Sequence, residues 1–162
     1  MSLPAEIVEA DLERADHQQA VIELTAAYAL DPMGNGRALP DDVLAGLIGG
    51  LRALPTTLIF LAYVDRRPVA IATCFRGFST FVGKPLVNIH DLAVLAEYRG
   101  RGIGRQLLGH IEQKARRLGC GRITLEVQQN NPAARKVYEK NGFAQAVYND
   151  VNGGALFYTK AL

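Results

Sequence analysis

Residues 98–108, YRGRGIGRQLL, lie between an apolar run and an amphipathic helix, and this strand–glycine–helix order constrains the fold more than any other stretch. Downstream, Ile103, Leu107, Leu108, Ile111, Ala115 and Leu118 recur at helical spacing and give one apolar face. Arg116 and Arg117 fall in the last turn, and Gly119 supplies a left-handed stop. Upstream, residues 85–95 (PLVNIHDLAVL) form a strand, and residues 122–128 (RITLEVQ) form another after the helix. A strand–helix–strand unit of this length is expected to be a right-handed parallel crossover. Glycine in a helix interior costs about 1 kcal/mol against alanine, so Gly100, Gly102 and Gly104 call for another reason. The first four N–H groups of a helix lack intrahelical partners and sit at the positive end of the macrodipole. Glycines there remove Cβ atoms and open the backbone to an anion, and Arg99, Arg101 and Arg105 can add charge-assisted hydrogen bonds. A phosphate or pyrophosphate is the natural occupant. The bland alternative is a tight turn flanked by solvated arginines.

The rest of the chain surrounds this unit with antiparallel structure. Residues 6–12 alternate and read as a short strand. Asp16 with Gln19 resembles a capping box, which predicts a helix over residues 17–30. DPMGNG (31–36) breaks it, and Pro40, Asp41 and Asp42 open a second helix whose apolar face is Val43, Leu44, Leu47, Ile48 and Leu51. Residues 56–64 and 69–81 are dense in strand formers and flank the turn DRRP, so they read as a long hairpin. Asn131 followed by Pro132 reads as N-cap and first helical residue of a short helix ending near Gly142. FAQAVYN (143–149) and ALFYTKAL (155–162) are expected to close the fold as an antiparallel pair around DVNGG. The expectation is an α/β fold of the α+β type, one domain over residues 1–162. Its mixed sheet is mostly antiparallel with one parallel pair, and helices cover both faces.

Composition narrows the functional classes. Hydrophobic residues make up 49% of the 162 and charged residues 21%, enough for a sizeable core. A formal net charge of +2 is too small to call for nucleic acid or an anionic membrane as partner. No stretch approaches the roughly 18 apolar residues of a membrane span. Cys74 and Cys120 are far apart in apolar or glycine-rich settings, and residues 1–10 show no basic region leading into an apolar run. Reduced thiols in the cytoplasm are therefore expected. Neither a metal-ligand spacing of His, Cys, Asp and Glu nor a nucleophilic cysteine is visible; Cys74, in IATCF, reads as core. His17 and His110 are isolated on predicted helices and are expected to be solvated.

Two familiar phosphate loops do not fit. There is no Gly-Lys-Ser/Thr, and residues 100–104 lack the final spacing of G-x-G-x-x-G. Arg99-Gly100-Arg101-Gly102-Ile103-Gly104 instead resembles the R/Q-x-x-G-x-G/A signature of the GNAT superfamily of acyl-CoA-dependent N-acyltransferases. The preceding HDLAVLAEYRG resembles that family's coenzyme-binding strand. NNPAARKVYEKNGF (130–143) is similar to its second motif, with Asn131, Ala134, Tyr138, Gly142 and Phe143 in step. The close match covers residues 88–143. FSTFVGKPLVNIHDLAV also resembles the diamine (spermidine/spermine-type) acetyltransferases, which carry Glu-Asp where this chain has His90-Asp91.

The resemblance implies a GNAT-like fold and direct transfer of an acetyl group from acetyl-CoA to a primary amine in a ternary complex, without a metal. It implies that Leu92, Ala93 and Val94 pair with the pantetheine arm through their backbone. An N–H near Val94 would polarise the thioester carbonyl, and Arg99, Gly100, Arg101, Gly102, Ile103, Gly104 and Arg105 would hold the pyrophosphate. Asn131 would hydrogen-bond the pantetheine arm, Ala134 would belong to the same coenzyme site, and Tyr138 would protonate the departing thiolate. A lysine-like amine, with a pKa of about 10.4, must lose a proton before it attacks. His90 is the first candidate base, and Asp91 either orients it or attracts a cation; a buried structural histidine is the rival reading. Adjacent strand residues point to opposite faces, so both can face a cleft only if the strand bulges. The segment 28–42, with Asp31, Asp41 and Asp42, is expected to border the acceptor. The small-molecule amine, polyamine- or amino-acid-like, is the leading acceptor, with a homodimer as the assembly. The alternatives are a protein or peptide acceptor, or a silent acyl-CoA-binding regulatory module.

Overall fold

The structure, a computed structural model, describes residues 3–147 and 155–162. Its elements run β1 (Glu6–Glu9), α1 (Ala15–Leu30), α2 (Asp41–Ala53), β2 (Thr57–Val64), β3 (Arg67–Ser79), β4 (Lys84–Val94), α3 (Ile103–Arg117), β5 (Arg122–Leu125) and α4 (Pro132–Lys140). The strands form one sheet in the order β1-β2-β3-β4-β5. The first three pairings are antiparallel, and β4 pairs with β5 in parallel across the α3 crossover. This is the mixed sheet anticipated from the sequence.

Alternation along β2 builds both cores. Leu58, Phe60 and Ala62 pack with α3 on one face, and Ile59 and Leu61 pack with α1 and α2 on the other. A central strand covered on both sides reads as an unbroken apolar run, which is why residues 56–64 look featureless in sequence. Each such buried large side chain stabilises the fold by about 1.5–3 kcal/mol. The β2–β3 turn is two residues long, with Asp65 and Arg66 both left-handed (φ 49° and 64°), the backbone twist that suits a tight hairpin. Pro68 sits where the register slips between Ala62 and Tyr63, so its missing N–H interrupts no regular ladder.

Some expectations are corrected. Helix α1 starts two residues early, at Ala15, and Asp16 does not cap it. Arg14 takes the Asp16 carboxylate (2.7 Å), and the Gln19 amide donates to Glu23. His17 is buried, not solvated, and its Nδ1 accepts the Asp11 N–H at 2.9 Å. On α2, Ile48 and Leu51 are buried but Val43 is exposed. Strand β5 stops at Leu125, three residues short, because β4 offers it no partner beyond Ile89. Residues 143–146 and 155–162 form no strand. Only an isolated bridge at Val147 and an Ala155 N–H to Ala146 carbonyl bond of 3.3 Å hint at the anticipated pair. The DVNGG turn lies outside the described residues. Among the described residues no helix is long and apolar enough to cross a membrane.

Helix α3 ends as its sequence demands. Cys120 N–H bonds the Ala115 carbonyl and Gly119 N–H bonds that of Arg116, both at 3.0 Å, with Gly119 at φ 69°. This is the Schellman arrangement, and Cys120 tucks against the core beneath it. Cys74 is fully buried among apolar side chains, and burial pushes its thiol up to about 12. A thiol so held is chemically quiet.

Candidate active site

A single inserted residue in β4 creates the site. Thr73 pairs with Asp91 and Cys74 with Ile89, so His90 has no partner on β3. The strand bulges there, although of the two adjacent residues only His90 lines the cavity described below. The apolar pattern slips phase at the same point: Val87 and Ile89, then Leu92 and Val94, all face the α3 side. Beyond the bulge β4 stays paired to β3 through Val94, but its pairing with β5 runs only from Leu86 to Ile89. The two parallel strands therefore part, and residues 90–94 present towards β5 a backbone edge with no strand partner among the described residues.

The amino end of α3 faces this parting. Gly100 and Gly102 adopt φ 73° and 79°, conformations that cost a side-chain-bearing residue roughly 1–2 kcal/mol. Gly102 is the N-cap and offers no side-chain acceptor, so nothing of its own covers the helix end. Gly104 lies in the first turn against Leu92 and Val94; a Cβ there would sit 3.9 Å from each. Two of the glycines thus serve the backbone path and the third keeps the strand–helix surface bare.

Around these elements lies a cavity of about 1090 Å³. Its lining includes His90, Leu92, Ala93, Val94, Arg99, Gly100, Gly102, Ile103, Gly104, Arg105, Asn131, Ala134 and Tyr138. Of the residues expected to bind the coenzyme or catalyse the transfer, Asp91 and Arg101 lie outside it. The Arg101 guanidinium stacks over the Tyr98 ring at 5.7 Å, with Arg67 on the same ring at 5.6 Å. Arg99 is engaged as well: Nε donates to the Val94 carbonyl at 2.9 Å and Nη2 to the Asp31 carboxylate. Of the three arginines, Arg105 is the one whose side chain has no protein partner among the described residues.

His90 is exposed and meets the Phe75 ring edge-on, centroids 5.6 Å apart. Asp91 lies half-buried beside it. Burial raises its carboxyl above the usual range, and the neighbouring His90 charge pulls the other way. Tyr138 is half-buried in the cavity wall, its ring edge-on to Phe143 at 5.9 Å. Burial, with a smaller contribution from Tyr28, pushes its phenol up to about 12. Asn131 caps α4, its side chain accepting the Ala134 N–H at 3.1 Å.

Several lining residues escape a reading of motifs alone. Tyr28 and Asp31 fall in the segment expected to border the site, whereas Asp41 and Asp42 lie outside the lining. Glu126 and Gln128 also line the cavity. Assigning residues 122–128 wholly to a strand hides them; the signal is the loss of a parallel partner once β4 bulges.

The chain matches the family model for the acetyltransferase (GNAT) family over residues 19–143. It is 41% identical over 58 residues to a streptothricin acetyltransferase of Streptomyces lavendulae, covering 36% of this chain and 31% of that protein. It is 34% identical over 91 residues to the N-alpha-acetyltransferase MAK3 of Arabidopsis thaliana, covering 55% and 46%. The matched segments thus span less than half the length of these relatives. A crystal structure described as a probable acetyltransferase superposes with a TM-score of 0.79 at 24% identity, over 96% of this chain and 99% of that one, which is a likeness of fold. With the family model covering most of the chain and ending on the second motif, this protein is a member of the GNAT acetyltransferase family.

Proposed function

We propose that the protein transfers an acetyl group from acetyl-CoA to the primary amine of a small molecule. One observation carries the reading: the edge of residues 90–94, which has no strand partner among the described residues, and the bare amino end of α3 open into the same cavity as Tyr138. Acetyl-CoA fits this geometry. An extended pantetheine arm can add to the β4 edge as another strand would, and a pyrophosphate suits the first-turn N–H groups beside Gly102 and Gly104. The coenzyme supplies the acetyl group as a thioester.

In this reading Leu92, Ala93 and Val94 hold the arm through backbone groups, and a Val94-region N–H polarises the carbonyl. Arg105 reaches the phosphates, while Asn131 and Ala134 border the arm. Tyr138 keeps its proton throughout the working range, so it donates to the departing sulfur and cannot be the base. His90 takes the amine proton, and Glu126, in the same lining, is the second group able to do so. The half-buried Asp91 acts through His90.

The acceptor we favour carries one primary amine, as an amino-acid-like molecule does. Asp31 is neutralised by Arg99 and Asp91 lies off the cavity, which leaves a polyamine few carboxylates. The streptothricin enzyme supports a small-molecule acceptor and MAK3 a peptide one. We also propose a second copy of the chain as partner: Leu156, Phe157 and Tyr158 are exposed apolar residues, and β5 ends the sheet with an unpaired outer edge among the described residues. Calorimetry with acetyl-CoA, then thiol release with spermidine, a lysine amide, an aminoglycoside and a short peptide, tests the reading. Micromolar coenzyme binding and turnover of a small amine are expected. No binding at millimolar acetyl-CoA would overturn it, and binding without turnover on any amine would favour a silent module.

A further inference from the structure

The segment joining α1 to α2 contributes Asp31 and Met33 to the cavity wall, and its ties are polar. Asp31 is their hub. Its backbone carbonyl accepts the N–H of Gly34 (2.9 Å) and Gly36 (3.1 Å), and its carboxylate accepts the Met33 N–H (2.8 Å) and the Arg99 guanidinium. The Asp31 side chain is only 12% exposed. Arg99 also donates to the carbonyl of Val94, the last residue of β4, so one planar guanidinium joins Asp31 to the end of that strand. On the other side the Gln128 amide, just past β5, donates to the Met33 carbonyl at 3.2 Å. The segment is pressed close to the helix it leaves: a Cβ on Gly34 would lie 2.1 Å from the Tyr28 carbonyl oxygen. Residues 31–36 thus bridge the two strands where they part, and Tyr28, Asp31, Met33, Arg99 and Gln128 all line the cavity.

We propose that Asp31 is a positioning residue for the acceptor: through Arg99 it fixes residues 31–36 against the end of β4, and so sets the wall opposite which the amine must lie. This rests on the acetyl-transfer reading. Arg99, although it opens the glycine signature, then serves the acceptor wall more than the pyrophosphate. The geometry needs a planar fork with two donors pointing in different directions, which arginine supplies and lysine does not.

Four variants test it: Asp31→Asn, Arg99→Gln, the double variant of these two, and Asp31→Glu. Amide hydrogen exchange reads the segment without any ligand. Faster exchange at residues 33–36, by about tenfold in Asp31→Asn and in Arg99→Gln and no more in the double, is expected, because both remove one link. Asp31→Glu, which keeps the charge, should restore part of the protection. Calorimetry with acetyl-CoA should give dissociation constants within twofold of wild type for Asp31→Asn. With the lysine amide, or whichever of the four amines above turns over fastest, Asp31→Asn should raise the amine KM about tenfold and leave kcat within about twofold. Unchanged exchange in Asp31→Asn, additive effects in the double variant, or a loss of kcat with an unaltered amine KM would each overturn the proposal. Failure of the wild-type protein to bind acetyl-CoA would instead overturn the acetyl-transfer reading and leave the exchange result standing on its own.

Discussion

Tyr138 and Asp91 are both raised in pKa by burial, with opposite consequences. For Tyr138 the shift to about 12 keeps the phenol protonated far above any working pH, as the proposed role of general acid requires. Tyr138→Phe is expected to lower turnover by about 10²-fold or more, the usual range for a general acid. Acetyl-CoA binding and the far-ultraviolet circular dichroism should stay unchanged, and unchanged turnover would remove Tyr138 from the mechanism. For Asp91 the raised carboxyl means that the folded chain holds a proton that the unfolded chain has already released. Stability contributed there is lost as pH rises from the ordinary carboxylate value through the folded one. Asp91→Asn is therefore expected to melt higher than wild type at pH 7, with the difference shrinking as pH falls below 4. A melting-temperature series over pH 3–8 checks the sign. Asp31 is the contrasting carboxylate: the Arg99 hydrogen bond holds it below the usual range. Its stabilisation is present above the ordinary carboxylate pKa and is lost as pH falls through the folded value, so wild type and Asp31→Asn should converge in acid.

At the level of elements, glycines that look alike in sequence are unlike in the fold. Gly102 needs its left-handed backbone, and Gly102→Ala should destabilise the chain by roughly 1–2 kcal/mol. Gly104 is helical, and an added Cβ would make ordinary contact with Leu92 and Val94. Gly104→Ala should raise stability by up to about 1 kcal/mol yet, on the proposed reading, weaken acetyl-CoA binding, because the methyl stands in the cavity wall proposed to receive the coenzyme. Denaturant titration and calorimetry separate the two effects. The same elements show what a sequence displays. The α3 crossover, its Gly119 stop and the Asn131-Pro132 start of α4 were legible because each is decided by neighbours in the chain. The capping of α1 was not, since Arg14 competes for the Asp16 carboxylate. Nor was the ion pair of Arg99, whose partner Asp31 lies 68 positions away. Glu126 and Gln128 were hidden for a related reason: where β5 stops depends on a bulge in a different strand.

On the scale of the whole molecule, the sheet separates two cores, with α3 on one face and α1 and α2 on the other. The flank beyond β5 is less finished. Helix α4 buries none of its residues fully, and Val137, Leu156, Phe157 and Tyr158 are exposed. If a second copy covers this flank, light scattering should give twice the chain mass at micromolar concentration. Replacing Leu156 and Tyr158 with serine should return the mass to that of one chain without lowering the melting temperature of the rest. A chain of single mass in wild type would remove the dimer.

His90 also fixes where the sheet can open. Before it the inward residues of β4 carry odd numbers, Val87 and Ile89; after it they carry even ones, Leu92 and Val94. Removing one residue there would restore uniform parity and keep every one of these side chains on the α3 face, but as a regular strand with no bulge to open the sheet. Moving the opening along the strand would require recoding every intervening position. The location of the gap between the strands is thus stored in the numbering of greasy residues, and a drifting sequence can alter the side chains at its rim far more easily than it can relocate the gap.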